Sequence, residues 1–550
     1  MSGFGERFRR AGYSVPKPLI EIEGKPLIGH VVDMFPGETD FIFICNNEHL
    51  EDVEFEMEKT LRELCPSGKV LGIPPHKLGP VHAVLQVSSH LKLEAPTIIN
   101  YCDFTCYWDW SHFKKFVERT KCTGAIPSYK GFHPHSLGST NYAYMLEEGG
   151  WVSDIQEKRP YTSDRMNEFA SSGTYYFSSG EVAIAACEEV FNQSLDTNGE
   201  YYVSLAYKIL LQTKRRVAVY PLQHFMQWGT PTDVSDYNRW SDIFTDLVSK
   251  TSRDKIEPRG SVIIPMAGLG KRFVDEGYET PKPLIEVSGL PMVIQATVDL
   301  PPAEHYSFVI RGDMVGGNEM AKTLSLSFDN ADIVEINSVT EGQACTALLG
   351  LDGIPAHKTG FPVTVGACDN GAIYSNDALE KLLKEQQSDV IVWGVRDHPH
   401  AIAHPEMYGW IDETKGQINK ISVKKPLSDD MKEPIVLGVF TFRDAKVLRQ
   451  LVELLMFRNG RVNGEFYLDS CIEDAIHLGL KCTFFEVQHF LCWGTPNDLK
   501  TFQYWQSCFH KWKSHCYDLT RDHRVPRTKI SEIELGFREA MTFPPSDPDD

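Results

Sequence analysis

The sequence reads as an α/β protein of two tandem domains, each a mainly parallel central sheet with helices on both faces. Three observations lead there: a motif block that recurs at constant spacing, short apolar runs alternating with helical patterns, and a length that holds two full cores. The block is Gly3-Phe4-Gly5-Glu6-Arg7-Phe8 followed by Pro16-Lys17-Pro18-Leu19-Ile20-Glu21. It returns 265 residues further on as Gly268-Leu269-Gly270-Lys271-Arg272-Phe273 and Pro281-Lys282-Pro283-Leu284-Ile285-Glu286. The same spacing relates Asn198-Gly199-Glu200-Tyr201-Tyr202 to Asn463-Gly464-Glu465-Phe466-Tyr467, and Trp228-Gly229-Thr230-Pro231 to Trp493-Gly494-Thr495-Pro496. Constant spacing over so long a stretch marks a duplicated domain, not a solenoid of short units. Gly, Lys, Arg and acids dominate the repeat, so the copied object is a site.

The second copy opens with Ser261-Val262-Ile263-Ile264-Pro265, an apolar run of buried-strand type. Further strand-like runs are Tyr306–Arg311, Phe361–Gly366 and Asp389–Val395, with helical patterns at Asp377–Gln386 and Ala445–Phe457. Strands alternating with helices predict a mainly parallel sheet. The first copy keeps the rhythm: strands at Phe41–Cys45, Thr97–Asn100 and Gly124–Pro127, helices near Leu50–Cys65 and Val182–Phe191. It lacks one element. Met1 aligns with Met266, so nothing corresponds to Val262–Pro265. The first strand of a doubly wound sheet is central, and its loss unpairs two neighbours. Either the true start lies a few codons upstream, the favoured reading, or the first domain is damaged.

The expected boundaries are 1–248 for the first domain, 249–259 for a polar linker, 260–515 for the second domain and 516–550 for a C-terminal tail. Phe502, Tyr504, Trp505, Phe509 and Trp512 are expected on a packed helix after Lys500. The Pro-rich acidic end, Phe543–Asp550, is expected to be disordered.

Composition narrows the function. The 42% hydrophobic and 24% charged residues are those of an ordinary globular protein. A net charge of −20, from 55 basic and 75 acidic residues, argues against a nucleic-acid surface. Any phosphate chemistry must therefore concentrate its cations locally. Thirteen Cys with no CxxC pair suit reduced core thiols in a cytoplasmic protein better than a disulfide framework. No apolar stretch approaches ~20 residues, so no membrane span is expected.

Gly3 and Gly5, like Gly268 and Gly270, permit positive φ and let successive N–H groups face an anion at a helix start. A Rossmann dinucleotide loop would want a third Gly where Phe273 stands. Arg7 and Arg272 within the loop point instead to a triphosphate or pyrophosphate tail, because guanidinium grips phosphate oxygens in pairs. Flanking prolines give Lys17 and Lys282 a stiff origin. A single Pro-Lys-Pro is usually only a turn; its recurrence at one distance from the same loop points to function.

These motifs, GxGxR-[FL] with a downstream PKPL, resemble the sugar-phosphate nucleotidylyltransferase (NDP-sugar pyrophosphorylase) family, and the likeness runs through both copies. The resemblance implies a Rossmann-like, GT-A-like nucleotidyltransferase fold and transfer of a nucleotidyl group from an NTP to a sugar 1-phosphate. It implies that the loop holds the triphosphate, that Arg7 and Arg272 contact its β/γ-phosphates, and that Lys17 and Lys282 contact phosphate at the reacting centre. It implies Mg²⁺ on Asp103 and Asp369, each after a buried strand, and sugar-phosphate contacts from Lys158 and Lys424. Gly173, Gly438, Glu200 and Glu465 fall where the family holds the sugar. The expected base-contacting segments around Gly79 and Gly342 differ between copies, so nucleotide specificity is expected to differ too.

Three departures stand out. Val423 precedes Lys424 where Glu157 precedes Lys158. The family's second metal-ligand Asp is replaced by Gln227 and Cys492, both poor Mg²⁺ ligands. A single Mg²⁺ site, substitution by Asp233 or Asp498, and weakened catalysis all remain open. His133-Pro134-His135 and His398-Pro399-His400 also recur and are expected in substrate loops. Three other readings compete: a nucleotide-sensing module, a glycosyltransferase (disfavoured by the lack of Asp-x-Asp), and a nucleotidylyltransferase for a phosphate such as phosphocholine.

Overall fold

The computed structural model describes residues 1–139, 141–249, 257–384 and 387–539. Most of the expected linker, the last two positions of Asp377–Gln386 and the Phe543–Asp550 end lie outside them. The chain forms two compact units. Unit 1 comprises Met1–Asp242, Ser507–Cys516 and the segment from Glu534; unit 2 comprises Ile243–Gln506 and Tyr517–Ile533.

Unit 2 is an α/β domain on a nine-stranded sheet. Ser261–Pro265 lies at its heart, parallel to His305–Arg311 on one side and to Val363–Val365 on the other. Val262, Ile263 and Ile264 are all buried because both faces of the sheet are covered. Val262 and Ile264 enter the cluster of Phe308, Ile310 and Trp393, while Ile263 enters that of Ala347, Leu351 and Phe440. The sheet is mixed. Ile435–Phe442 runs antiparallel to both Val363–Val365 and Val390–Val395, and the Gly409–Thr414/Gln417–Val423 hairpin extends the far edge. The sequence indicated an α/β sheet correctly, but an apolar run carries no mark of its direction.

Unit 1 repeats this order with two differences, one being that Phe169–Ser171 and Thr174–Phe177 stand where unit 2 has the single strand Ile435–Phe442. Thr97–Asn100 pairs with Thr174–Phe177 inside a seven-stranded sheet, whereas Ile42–Asn46 pairs only with Lys69–Ile73 in a separate two-stranded sheet. Where unit 2 has Ser261–Pro265, unit 1 has a cavity of about 750 Å³ lined by Ile42, Phe43, Ile44, Ile98, Ile99 and Asn100. Both neighbours of the missing strand are unpaired on the facing side, as the alignment anticipated.

Local sequence explains the helices. Ser179 and Asp444 accept hydrogen bonds from Val182 N and Val447 N, capping Gly180–Asn192 and Ala445–Phe457. The single helix expected over Leu50–Cys65 is broken into Asn47–Glu51, a 3₁₀ turn at Val53–Phe55, and Met57–Leu64. Asp52 caps the turn through Glu54 N, and Glu56 is left-handed at φ 45°. Phe502, Tyr504, Trp505 and Phe509 lie on the helix Pro496–Lys511, with Trp505 and Phe509 buried, and Trp512 follows its end. All thirteen cysteines are free thiols. No helix among the described residues is long and apolar enough to cross a membrane.

Candidate functional site

Each unit builds the same cluster from three elements. The first is the glycine loop. Gly5 and Gly270 sit at φ 61° and head the five-residue helices Glu6–Arg10 and Lys271–Asp275. Any residue with a Cβ is disfavoured in that conformation. A Cβ on Gly3, Gly5 or Gly268 would meet nothing within 4 Å, so the loop's outer side is open. Arg7 and Arg272 are exposed.

The second element is the Pro-Lys-Pro turn. Pro16 and Pro281 precede 3₁₀ turns at Lys17–Leu19 and Lys282–Leu284, and the following prolines are buried. Lys17 Nζ donates to Asp103 Oδ2 at 2.5 Å and to the Gly229 carbonyl at 2.9 Å. Lys282 Nζ donates to Asp369 Oδ2 at 2.5 Å and to the Gly494 carbonyl at 2.9 Å. Each ammonium also lies 5.4 Å from a phenylalanine ring, Phe8 or Phe273. Burial works against the Lys282 charge, but Asp369, with Cys368 and Cys492 beside it, outweighs burial and holds the ammonium above the ordinary lysine range.

The third element is a two-stranded ribbon. Phe104–Tyr107 pairs with His224–Gln227, and Asn370–Ile373 with His489–Cys492. Asp103 and Asp369 immediately precede the first strand of each ribbon, where the Trp228 and Trp493 amides donate to their backbone carbonyls. A chain-distant Lys and Asp thus meet at one point in both units.

Gln227 and Cys492 are engaged elsewhere. Gln227 Nε2 donates to Asp233 Oδ1 at 2.6 Å, and the Cys492 thiol donates to Asp498 Oδ2 at 3.6 Å. Burial pushes the Cys492 thiol far up, so it stays protonated. Asp233 and Asp498 are further occupied by the N–H and hydroxyl of Thr230 and Thr495. Among the described residues no group of three or more His, Cys, Asp or Glu could hold a metal ion by itself. What remains is one part-exposed carboxylate per unit. Such a donor suits Mg²⁺ shared with phosphate oxygens rather than caged by protein.

A second cluster gathers the expected sugar-phosphate residues. Lys158 and Lys424 lie at φ 56° and 58°. Lys158 Nζ lies 4.3 Å over the Tyr202 ring and donates to its hydroxyl, which in turn donates to Glu200. Lys424 lies 4.9 Å over Tyr467, and Glu465 bonds that tyrosine. Sequence reading did not single out Tyr202 and Tyr467, although both belong to the repeated Asn-Gly-Glu block. Arg7 acts electrostatically on the Tyr202 hydroxyl, which links this cluster to the glycine loop. Burial pushes the Glu157 carboxyl up to about 7, and Ser204 Oγ donates to it at 2.5 Å. Gly173 and Gly438 are left-handed at φ 98° and 79°.

Gly79 and Gly342 head the helices Pro80–Gln86 and Gln343–Asp352. A Cβ on Gly342 would lie 2.5 Å from both Phe466 N and O, and one on Gly79 within 2.8 Å of Tyr201 N and O. Backbone bonds tie Leu78 and Val81 to Tyr201, and Glu341 and Ala344 to Phe466. The segments expected at the base are thereby joined to the turns that carry Glu200 and Glu465.

The His-Pro-His motifs separate in role. His133 and His135 are packed among Tyr129, Tyr142 and Phe225, and burial holds both imidazoles neutral, His133 down to about 4. In unit 2, His400 Nδ1 lies 2.7 Å from Tyr408 Oη, its Nε2 lies 3.9 Å from Asp498, and Arg272 acts on it electrostatically.

Residues 1–243 match the family model described as Nucleotidyl transferase. Among curated proteins, the chain is 26% identical over 194 residues to the Bifunctional protein GlmU of Oceanobacillus iheyensis, covering 35% of this chain and 40% of the relative. It is 24% identical over 277 residues to the Bifunctional protein GlmU of Methanococcus maripaludis, covering 50% and 59%. The chain spans about half the length of the curated relatives it matches. Among solved structures, a nucleoside-diphosphate-sugar pyrophosphorylase from Vibrio cholerae superposes with a TM-score of 0.36 at 18% identity, over 44% of this chain and 98% of that one. An inositol-1-phosphate CTP transferase from T. maritima gives 0.35 at 16%, over 45% and 95%.

Proposed function

We propose that this chain, whose residues 1–243 match the family model described as Nucleotidyl transferase, transfers a nucleotidyl group from a nucleoside triphosphate to a sugar 1-phosphate. The products are a nucleotide sugar and pyrophosphate. One observation carries the reading. Both units hold a Pro-Lys-Pro lysine against a strand-end aspartate, beside a left-handed glycine loop with an adjacent arginine.

The nucleophile is a phosphate oxygen that is already an anion, so the reaction needs no strong general base. Catalysis consists of holding two polyanions together and neutralising charge in line. Arg7 and Arg272 steady the leaving pyrophosphate from the exposed loop. Lys17 and Lys282 lie on the α-phosphate. Lys158 and Lys424 receive the incoming phosphate, with Gly173, Glu200, Gly438 and Glu465 around the sugar. The loops at Gly79 and Gly342 take the base. Asp103 or Asp369, together with phosphate oxygens, would hold Mg²⁺, which would supply charge neutralisation on the triphosphate. The Lys–Asp pair keeps the ammonium beside the carboxylate that would hold that cation.

Pyrophosphate release, measured for four NTPs against a panel of sugar 1-phosphates with and without Mg²⁺, tests the proposal. Turnover should appear with at least one pair and vanish with chelator. A second reading, nucleotide sensing without turnover, draws support from Asp233 and Asp498, whose oxygens are occupied by side chains of their own loop. Thermal shifts by nucleotides with no pyrophosphate released from any pair would favour it.

A further inference from the structure

Unit 2 lacks the acid that precedes Lys158 in unit 1, since Val423 stands there. Three positions change together around that lysine. In unit 1, Glu157 ends the strand Trp151–Glu157, faces Ala143 across the hairpin, and accepts from Ser204 Oγ in the first turn of helix Val203–Gln212. In unit 2, Val423 ends the strand Gln417–Val423 and faces Gly409. The residue 265 positions beyond Ser204 is Asp469, at the start of helix Asp469–His477. Glu–Ala–Ser has become Val–Gly–Asp.

The glycine explains how the exchange fits. A Cβ at Gly409 would lie 2.5 Å from Asp469 Oδ2, so an alanine there would require that carboxyl to shift. Removing the methyl on one strand therefore opens the space that the carboxyl, arriving from the helix, fills. Lys424 N donates to the Tyr408 carbonyl next to Gly409, so the lysine's own backbone is anchored at the same spot. Asp469 acts electrostatically on Lys424, as Glu157 does with Lys158. Burial raises both acids, Asp469 to about 6 and Glu157 to about 7.

We propose that Asp469 is the positioning residue of the unit 2 sugar-phosphate site, taking over from the helix what Glu157 does from the strand in unit 1. Together with Tyr467 it fixes where the Lys424 ammonium points. An ammonium has three donors on a flexible stem, so a tyrosine face alone leaves it free to swing; the field of a nearby carboxyl favours one orientation. The assignment rests on the reading of Lys424 given above.

The test uses the full chain carrying Lys17→Ala and Lys158→Ala, which leaves unit 2 as the working copy. Asp469→Ser should raise KM for the sugar 1-phosphate about tenfold while KM for the NTP and kcat change less than about twofold. The triple variant Gly409→Ala, Val423→Glu, Asp469→Ser, which transplants unit 1's arrangement, should restore KM to within about threefold of the starting chain. A carboxylate acting only as nearby negative charge would repel phosphate, and its loss would tighten binding. A lowered or unchanged KM in Asp469→Ser overturns the proposal, and so does a triple variant no better than the single one. Calorimetric binding of inorganic phosphate to the same three proteins separates the two claims. If no substrate pair turns over, the activity reading fails. Weakening of phosphate binding by Asp469→Ser and recovery in the triple variant would still sustain the positioning role, and its absence would overturn it.

Discussion

Lys282 shows how one side chain is prepared by its surroundings. Two prolines fix its origin, a phenylalanine ring lies beneath it, and Asp369 keeps it charged despite burial. Lys282→Ala should therefore lower unit 2 turnover roughly a hundredfold or more, as loss of one preorganised donor does, with the thermal melt of unit 2 nearly unchanged. Steady-state kinetics in a Lys17→Ala chain checks this. Glu157 gives a pH signature. Its carboxyl sits at about 7 in the folded protein, above the ordinary value, so the native state binds the proton more tightly than the unfolded chain. That contribution to stability is fully present below about pH 4.5 and is lost as pH rises through about 7. Glu157→Gln should flatten the stability profile across this window, and chemical denaturation at stepped pH would detect it. A variant whose slope matches the parent would remove burial of Glu157 as the cause.

Between neighbouring elements, glycine matters where two backbones touch. Gly342 closes against the amide and carbonyl of Phe466, in a conformation (φ 136°) that side chains avoid. Gly342→Ala should cost about 1–3 kcal/mol and pull Glu465 away from its tyrosine, seen as a lower denaturation midpoint together with a raised KM for the sugar phosphate. Much of this was readable beforehand. Ser261–Pro265 and Ala445–Phe457 stand where apolar runs and helical spacing put them; the repeated block named both lysines, and the family resemblance named both aspartates. The helix over Leu50–Cys65 was misread because a cap at Asp52 and a left-handed Glu56 leave the apolar spacing intact while breaking the backbone. Tyr202, Tyr467 and Asp469 went unnoticed because their importance lies in pairing across the fold, which a linear sequence does not display. The mixed strand directions escaped for the same reason.

Duplication gives the protein an internal comparison. The two copies share the loop, the Pro-Lys-Pro turn and the strand-end aspartate, and differ at Gln227 against Cys492 and in the base-side loops. Silencing one copy at a time, by Lys17→Ala or Lys282→Ala, should leave different NTP preferences behind, which competition assays with mixed nucleotides would reveal. Equal preferences would mean that the loops at Gly79 and Gly342 do not choose the base.

The cavity in unit 1 adds a mechanical asymmetry. In unit 2 Ser261–Pro265, which runs into the glycine loop, joins His305–Arg311 to Val363–Val365 in one sheet. In unit 1 Ile42–Asn46 and Thr97–Asn100 lie in separate sheets, and Lys17 bonds Asp103 and the Gly229 carbonyl. Amide exchange at Ile42–Asn46 should outpace exchange at the equivalent Ser307–Arg311.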